Sequence, residues 1–566
     1  MIRPKVLALC PAAFALLLGG CDAPTELFVE RAVELGIDFV NFNGMYGERH
    51  YTEIAGSGGA LFDYDNDGDL DLYLVQGAML DPATPLESAV YPPTAPLLDR
   101  LYRNELIETG RLGFVDVTAA SGIVSDGYGM GVAVADYDAD GFLDLYVTNF
   151  GSNRMLRNNG DGTFTDTTRK TGTDDLRWST SATFVDYDAD GWPDLFVVNY
   201  LDYTLANHTP CYDPTSAIEY CGPSSYDPVS QCLFRNRGDG TFEDVSLPSG
   251  IARRYAAGLG VAATDFNGDG RVDLYVASDG RPNILWINRG DGTFTDEALL
   301  AGCSVNADGE AEASMGVDAA DFDGDGDEDL FVTHLVDETN TLYVNDGNGW
   351  FDDATVPAGL GAVSRTATGF GTVWFDYDND GWLDLVVANG AVKTIESLRR
   401  GNHPYPLAES NQLFRNHGDG SFEDVTGRAG PAFLPVEVSR GVAAGDVDND
   451  GDTDLLIINN SGPARLLINQ VGNRKAWIGL QLRDGEGKRD LPGTRVEVVR
   501  ADGRTLWRRS RVEGSYCSSG DPRVRVGLGD AGAIRVLRTH WPDGSVEEWT
   551  DLPLRRYTTL RQGASR

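Results

Sequence analysis

Positive charge is what this sequence has too little of for several functions. Its 46 lysines and arginines stand against 87 aspartates and glutamates, a formal net charge of −41. Phosphate binding needs a basic surface, so nucleic acid is excluded as a partner, and cations are favoured. Long apolar runs are missing too: after the first twenty residues no segment is apolar for long enough to span a bilayer. The chain carries no GxSxG, HExxH or P-loop, and no CxxC or neighbouring His pair to hold zinc. What it has in quantity is glycine, 68 residues, with 10% aromatics, the composition of turn-rich β structure. At 566 residues it exceeds one ordinary domain unless repeats extend a single architecture.

Residues 1–20 read as an export signal: Arg3 and Lys5 precede VLALCPAAFALLLGG, too short and too poorly flanked for a stable spanning helix. The segment ends Leu18-Gly19-Gly20-Cys21, which resembles a bacterial lipobox, so Cys21 is expected to carry lipid and to begin the mature chain. The expected location is the cell envelope, on its periplasmic side or surface, with the lipid as the only membrane contact. Cys10 leaves with the signal. Cys211 and Cys221, ten residues apart in an exported chain, read as a loop-stapling disulfide. Cys232, Cys303 and Cys517 find no partner by sequence, and an odd remainder leaves at least one thiol free or paired between chains.

Self-comparison decides the fold. DYDNDGDLDLYLV at Asp63 returns as DYDADGFLDLYV at Asp136, DYDADGWPDLFV at Asp186, DFNGDGRVDLYV at Asp265, DFDGDGDEDLFV at Asp321, DYDNDGWLDLVV at Asp376 and DVDNDGDTDLLI at Asp446. A small-residue run such as GVAVA precedes each copy, and a segment such as LFRNRGDGTFEDVS follows most of them. One unit is therefore four short strands separated by turn residues. Seven such units describe an all-β, seven-bladed β-propeller, in which radial repetition leaves few open edges. The seventh unit lacks its fourth strand, while FVERAVELGI from Phe28 aligns without a gap to FVDVTAASGI from Phe114. The N-terminal segment is thus expected to close the ring over residues 28–472.

Each acidic loop begins like an EF-hand, whose twelfth position must be a bidentate Glu. Here position 12 is Leu74, Val147, Val197, Val276, Val332, Val387 or Ile457, all apolar. The last carboxylate comes at position 9 instead. The candidate ligands, from positions 1, 3, 5 and 9, are Asp63, Asp65, Asp67 and Asp71; Asp136, Asp138, Asp140 and Asp144; Asp186, Asp188, Asp190 and Asp194. The later copies supply Asp265, Asn267, Asp269 and Asp273; Asp321, Asp323, Asp325 and Asp329; Asp376, Asp378, Asp380 and Asp384; Asp446, Asp448, Asp450 and Asp454. With a backbone carbonyl from position 7 they make a hard-oxygen cage for Ca²⁺, up to seven sites, and Gly at position 6 permits the turn.

These repeats resemble the FG-GAP/VCBS repeats of integrin-α-type propellers, where calcium loops join the first two strands of a blade and rigidify it. From Asn473 the acidic loops stop, and residues 473–566 carry a net +7, leaving −48 for the rest of the chain. Alternation in TRVEVVR and VRVGLG predicts a small β domain. GSYCSSGDPRVRVGLGD and HWPDGSVEEW are similar to the ASPIC/UnbV domain of the cartilage-acidic-protein family, with one departure at KRDLPGTRVEV, residues 488–498. That resemblance implies a secreted or cell-surface protein without catalytic activity, here a calcium-binding binding or adhesion module with a protein or glycan ligand. Three insertions, 77–100, 200–231 and 390–411, are expected to crowd the face opposite the acidic loops, where recognition would sit. The alternative is an enzyme acting on polysaccharide from the propeller's central pocket. Gln76, Asn149, Asn199, Ser278, His334, Asn389 and Asn459, at the ends of the second strands, could line its mouth.

Overall fold

A computed structural model describes residues 26–93, 96–125 and 127–565. The segment read as an export signal, with Cys10 and Cys21, lies outside the described residues, and among these no helix is long and apolar enough to cross a membrane. Seven four-stranded antiparallel sheets form the larger part of the chain. The first has strands Gly59–Phe62, Asp71–Leu74, Arg100–Asn104 and Phe114–Asp116 in chain order. The next five occupy residues 128–166, 179–244, 258–296, 317–353 and 369–424. The seventh runs Ser439–Gly445, Asp454–Asn459 and Arg465–Asn469, and its outer strand is Phe28–Glu30, with Phe28 opposite Asn469 and Glu30 opposite Leu467. The architecture is a seven-bladed β-propeller followed by a small β domain.

The sequence period of two on each innermost strand becomes two buried faces. In Tyr128–Ala135, Val132 and Val134 pack with Ala60, Phe62 and Tyr73 of the preceding blade. Ala133 and Ala135 pack with Phe184 and Leu195 of the following one. Every blade is thus sandwiched, which is why these strands read as unbroken small or apolar runs.

The centre of the ring is not open. The segment Gly514–Asp521 of the second domain threads into it and supplies partners to the innermost strands. Ser515 N donates to Val317 O (2.9 Å), Cys517 N to Ser181 Oγ (3.0 Å), Val132 N to Cys517 O (3.1 Å), and Leu61 N to Ser519 O (3.1 Å). Asp521 N reaches Ala444 O at 3.1 Å. Five blades are tied this way, and the plug satisfies inner-edge backbone groups that would otherwise stay unpaired. Glycine makes the approach possible: a Cβ on Gly58 would stand 1.7 Å from Cys517 O, and one on Gly131 2.9 Å from Cys517 Cα. Tyr516 is fully buried, donates its hydroxyl to Ala55 O (3.0 Å), and sits edge-on to Phe370. The plug thus occupies the ring's centre and leaves beside it a cavity of about 120 Å³, lined by Asp318, Trp374, Val442 and Ser518 among others.

At the other end the three insertions and residues 39–55 pack into one aromatic cluster with Tyr51, Tyr200, Tyr203, Tyr220, Tyr226 and Leu407. Tyr220 donates to Glu53 Oε2 (2.9 Å), Thr394 N to Glu219 Oε2 (3.0 Å), and Val90 N to Met45 O (2.7 Å), so all three insertions are knitted to one cap. Arg440, wholly buried, holds the cap to the ring. Its guanidinium lies 3.8 Å from the Phe370 ring centre and donates to the carbonyls of Ile54, Gly390 and Ala391. Cys211 and Cys221 are joined in a disulfide within the cap; Cys232, Cys303 and Cys517 are free and buried.

The second domain packs a three-stranded sheet against a four-stranded one around Ile478, Val496, Val498, Val526, Leu537 and Trp541. It docks on the acidic-loop face through arginines: Arg511 pairs with Asp318, Arg509 with Glu328 (2.9 Å), and Arg508 Nη2 donates to Gly381 O (2.9 Å). Tyr557 gives its hydroxyl to Asp446 Oδ2 (2.7 Å), and Lys475 reaches Asp378 Oδ1 (3.1 Å).

Substituting Gly58→Ala should expel the plug, because the new methyl collides with backbone. Limited proteolysis is expected to release the second domain faster, with a stability loss of about 1–3 kcal/mol by denaturant melting. An unchanged cleavage pattern would mean that the plug adapts.

Candidate metal centres

The connection between the first and second strands of every blade is the nine-residue acidic loop, and its own first carboxylate folds it. Asp63 Oδ1 accepts from Asp67 N (3.1 Å) and Oδ2 from Gly68 N (3.0 Å). The same pair of bonds forms from Asp136, Asp186, Asp265, Asp376 and Asp446. In the fifth loop Asp321 takes Gly324 and Gly326 instead. The turn needs left-handed backbone at position 6, where Gly has φ of 83° to 104° in all seven copies. Position 4 is left-handed as well, with φ of 53° to 84°, and holds only Asn, Ala or Gly.

Position 9 has a task that ligand counting did not reveal. Asp71 Oδ2 accepts from Tyr64 N (3.0 Å) and Oδ1 from Asn104 N (2.8 Å) on the third strand. Asp144, Asp194, Asp273, Asp329, Asp384 and Asp454 do the same with Asn158, Asn236, Asn288, Asn345, Asn416 and Asn469. These carboxylates clamp the loop to the blade, whatever else they hold.

The donor set fits a hard divalent cation. Positions 1, 3 and 9 of the first three loops, and positions 1, 3 and 5 of the fifth and sixth, bring carboxylate oxygens within 4.8 Å of one another. Asp65, Asp138 and Asp323, all at position 3, each keep a buried Oδ1 with no hydrogen-bond partner. Calcium takes six to eight such oxygens in flexible geometry, whereas magnesium prefers a small octahedron with several waters. The fourth loop has Asn267 at position 3, whose Oδ1 accepts from Asp269 N (3.0 Å). Arg157 rests on Asp138 and Asp140, and Arg415 on Asp378 and Asp380, so the second and sixth loops carry a built-in counter-charge.

Burial and mutual repulsion make these carboxyls hard to ionise without a cation. Burial, then Asp65 and Asp67, push Asp63 up to about 7. Burial chiefly, with like-charged neighbours, takes Asp321 to about 7, and Asp194 and Asp376 to about 8.

The ring of polar residues at the second-strand ends does not line a mouth. All seven are buried. Gln76 accepts from Phe42 N (2.7 Å), Asn199 Nδ2 donates to Asp175 (2.9 Å), Asn389 Nδ2 to Ser410 O (2.8 Å), and Asn459 Nδ2 to Pro463 O (2.8 Å). His334 is 1% exposed, lies 3.6 Å from Glu312, and burial holds it at about 3, a neutral imidazole.

The residues that sequence reasoning overlooked are the third-strand asparagines. Each also spans two blades through its amide: Asn158 Nδ2 donates to Tyr64 O of the blade before (2.7 Å), Asn236 to Tyr137 O (2.9 Å), and Asn288 to Tyr187 O (2.8 Å). Asn345, Asn416 and Asn469 continue to Phe266, Phe322 and Tyr377, and Asn104 completes the circle on Val447 O (2.8 Å). The signal was present, since an Asn ends the third strand in every unit.

A family model described as FG-GAP-like repeat matches residues 63–147, 136–197, 225–276, 265–332, 321–387 and 404–457, and one described as ASPIC and UnbV matches 485–566. Among curated relatives, cartilage acidic protein 1 of Homo sapiens is 28% identical over 331 residues, 56% of this chain and 46% of the relative. Its Mus musculus counterpart is 28% identical over 330 residues, 56% of this chain and 47% of the relative. The chain spans about half the length of the curated relatives it matches. A solved structure described as YCF48 bound to D1 peptide covers 73% of this chain and 91% of its own, at 8% identity and a TM-score of 0.39, a likeness too loose to carry an argument.

The pH dependence of stability follows from the raised carboxyls. In chelator their contribution is present below the ordinary aspartate value of about 3.8 and is lost as pH rises through about 7 to 8. Calcium holds the same groups ionised, so the rise in melting temperature on adding calcium should be larger at pH 8 than at pH 5. An equal or smaller rise at pH 8 would contradict this electrostatic account.

Proposed function

Because the chain belongs to the FG-GAP-like repeat family and carries a C-terminal ASPIC and UnbV domain, we propose that it is an exported, calcium-stabilised binding or adhesion module. In this reading it is anchored to a bacterial envelope through lipid on Cys21. It meets a protein or glycan ligand on the cap built by the three insertions, and it performs no catalysis.

One observation supports the reading: a segment of the second domain occupies the centre of the ring, where a propeller enzyme would work. Tyr516 and Cys517 fill the channel, and the second domain covers part of the acidic-loop face. The outer surface of the cap is the large loop-built surface that remains, held rigid by its disulfide and by Arg440. Variable loops on a stiff scaffold are where recognition concentrates. The polysaccharide-acting alternative needs a pocket where the plug sits, and its one titratable candidate, His334, is sealed from solvent. Calcium's part is structural: at ten to a hundred times its dissociation constant each ion adds about 1.4 to 2.7 kcal/mol to the folded state.

Leu205 and Tyr212 stand exposed on the cap, Val546 on the second domain. Binding found on protein and glycan arrays is expected to weaken at least tenfold in a Leu205→Asp, Tyr212→Asp double variant and to persist in Val546→Asp; the reverse pattern would move recognition off the cap. Substrate turnover that His334→Ala abolishes would overturn the non-catalytic reading. Cys21→Ser should shift the protein from the membrane fraction to the soluble one, and retention on membranes would rule out the lipid anchor.

A further inference from the structure

The outer edge of the acidic loops is neutralised in some blades and left bare in others. In the second blade Arg157, from the third strand, places its guanidinium on Asp138 and on Asp140 Oδ2 (2.8 Å). In the sixth, Arg415 Nη2 does so with Asp378 (3.0 Å) and Asp380 (3.1 Å). In the fourth, Arg271, itself at position 7, covers Asp269. A guanidinium thus rests on the position-5 carboxylate in these three loops.

The first, fifth and seventh loops do the opposite. Position 7 is Asp69, Asp327 or Asp452, an additional acid beside the position-5 carboxylate. The residue matching Arg157 is Val344 in the fifth blade and Ile468 in the seventh; in the first, Arg103 turns to Glu105 (2.6 Å) and Glu108 (3.3 Å). In each pair the backbone N–H of the position-7 residue donates to the position-5 carboxylate, Asp69 to Asp67 (3.1 Å), Asp327 to Asp325 (3.2 Å) and Asp452 to Asp450 (3.2 Å), which holds the two acids side by side. Asp69 Oδ2 accepts from Ile107 N (2.8 Å) and Asp452 Oδ2 from Asn473 N (3.0 Å), and the Asn473 side-chain amide also donates to Asp450; all three donors are uncharged. The other oxygens of Asp69 and Asp452, with Asp327 Oδ1, are buried and without any partner, although Asp69 and Asp452 are only 0% and 1% exposed. Among the described residues no ion pair reaches any of the three. A buried, unpartnered carboxylate oxygen against a second carboxylate is costly wherever a cation is not supplied.

We propose that the first, fifth and seventh loops each bind a second hard divalent cation, calcium, between the carboxylates of positions 5 and 7, in the place that a guanidinium takes in the second, fourth and sixth loops. The position-5 carboxylate has two oxygens and can bridge this ion to the one inside the loop. The proposal rests on the calcium reading above and raises the expected total by up to three ions.

Native mass spectrometry of residues 22–566, the mature chain without its lipid-bearing Cys21, at saturating calcium counts the ions directly. Asp69→Asn, Asp327→Asn and Asp452→Asn are each expected to lose one ion, and the triple variant three, with the remaining ions retained. Val344→Arg, which leaves every carboxylate in place and supplies the missing guanidinium, should also displace one. An unchanged count in the single variants, or in Val344→Arg, would overturn the proposal and leave the acid pairs holding a shared proton. A parent protein that binds no calcium would instead overturn the calcium reading itself, so the two failures are distinguishable.

Discussion

One side-chain amide hydrogen bond, repeated seven times, is what the ring depends on. Each third-strand asparagine donates its side-chain N–H to the carbonyl at position 2 of the preceding blade's loop, and its backbone N–H to the position-9 aspartate of its own. Blade is thereby tied to blade by a directional bond in addition to apolar packing. The circle closes only because Asn104 reaches Val447 and Phe28–Glu30 pairs with Arg465–Asn469. Since these amides grip the acidic loops, loop geometry and blade geometry are one problem. A cation that stiffens a loop also sets the angle between neighbours.

Electrostatics explains how two domains of opposite charge became one body. A propeller carrying an excess of 48 negative charges cannot compact without help, and part of the help is covalently attached. Arginines 495, 500, 508, 509 and 523 of the second domain lay their guanidinium groups on a carboxylate and on carbonyls of the fifth, sixth and seventh loops, and Arg511 pairs with Asp318 on an innermost strand. Planar five-donor forks suit this role better than lysine would. Arginine and backbone N–H then divide one population of carboxylates between them.

Much of this was legible in the chain. Seven copies of one motif identified the blades, a missing fourth strand and its counterpart at Phe28 indicated how the circle closes, and an apolar position 12 excluded the EF-hand. The plug was not legible: GSYCSSGD has no strand pattern, because its bonds go to five different blades and not to a partner strand. Nor was the interior of the second-strand ends. Gln76 and Asn389 read as residues that could line a pocket mouth, and only the fold shows that they bond Phe42 N and Ser410 O. Position 9 was read as a ligand, and its oxygens do cluster with those of positions 1 and 3 in the first three loops; its second task was hidden because composition reports charge and not the backbone N–H groups that charge will meet.

Tyr516 bonds Ala55 across 461 residues of sequence, and this separation has a kinetic meaning. The innermost strands of the ring are made early, yet their free edges find partners only in a segment near the other end of the chain. Contacts this distant are slow to form, because loop closure must precede any reward. A growing chain therefore holds up to seven nearly finished sheets with open inner edges until its last hundred residues arrive. The abundant like charge on the loops then has a second use: it keeps those incomplete rings apart from one another while they wait.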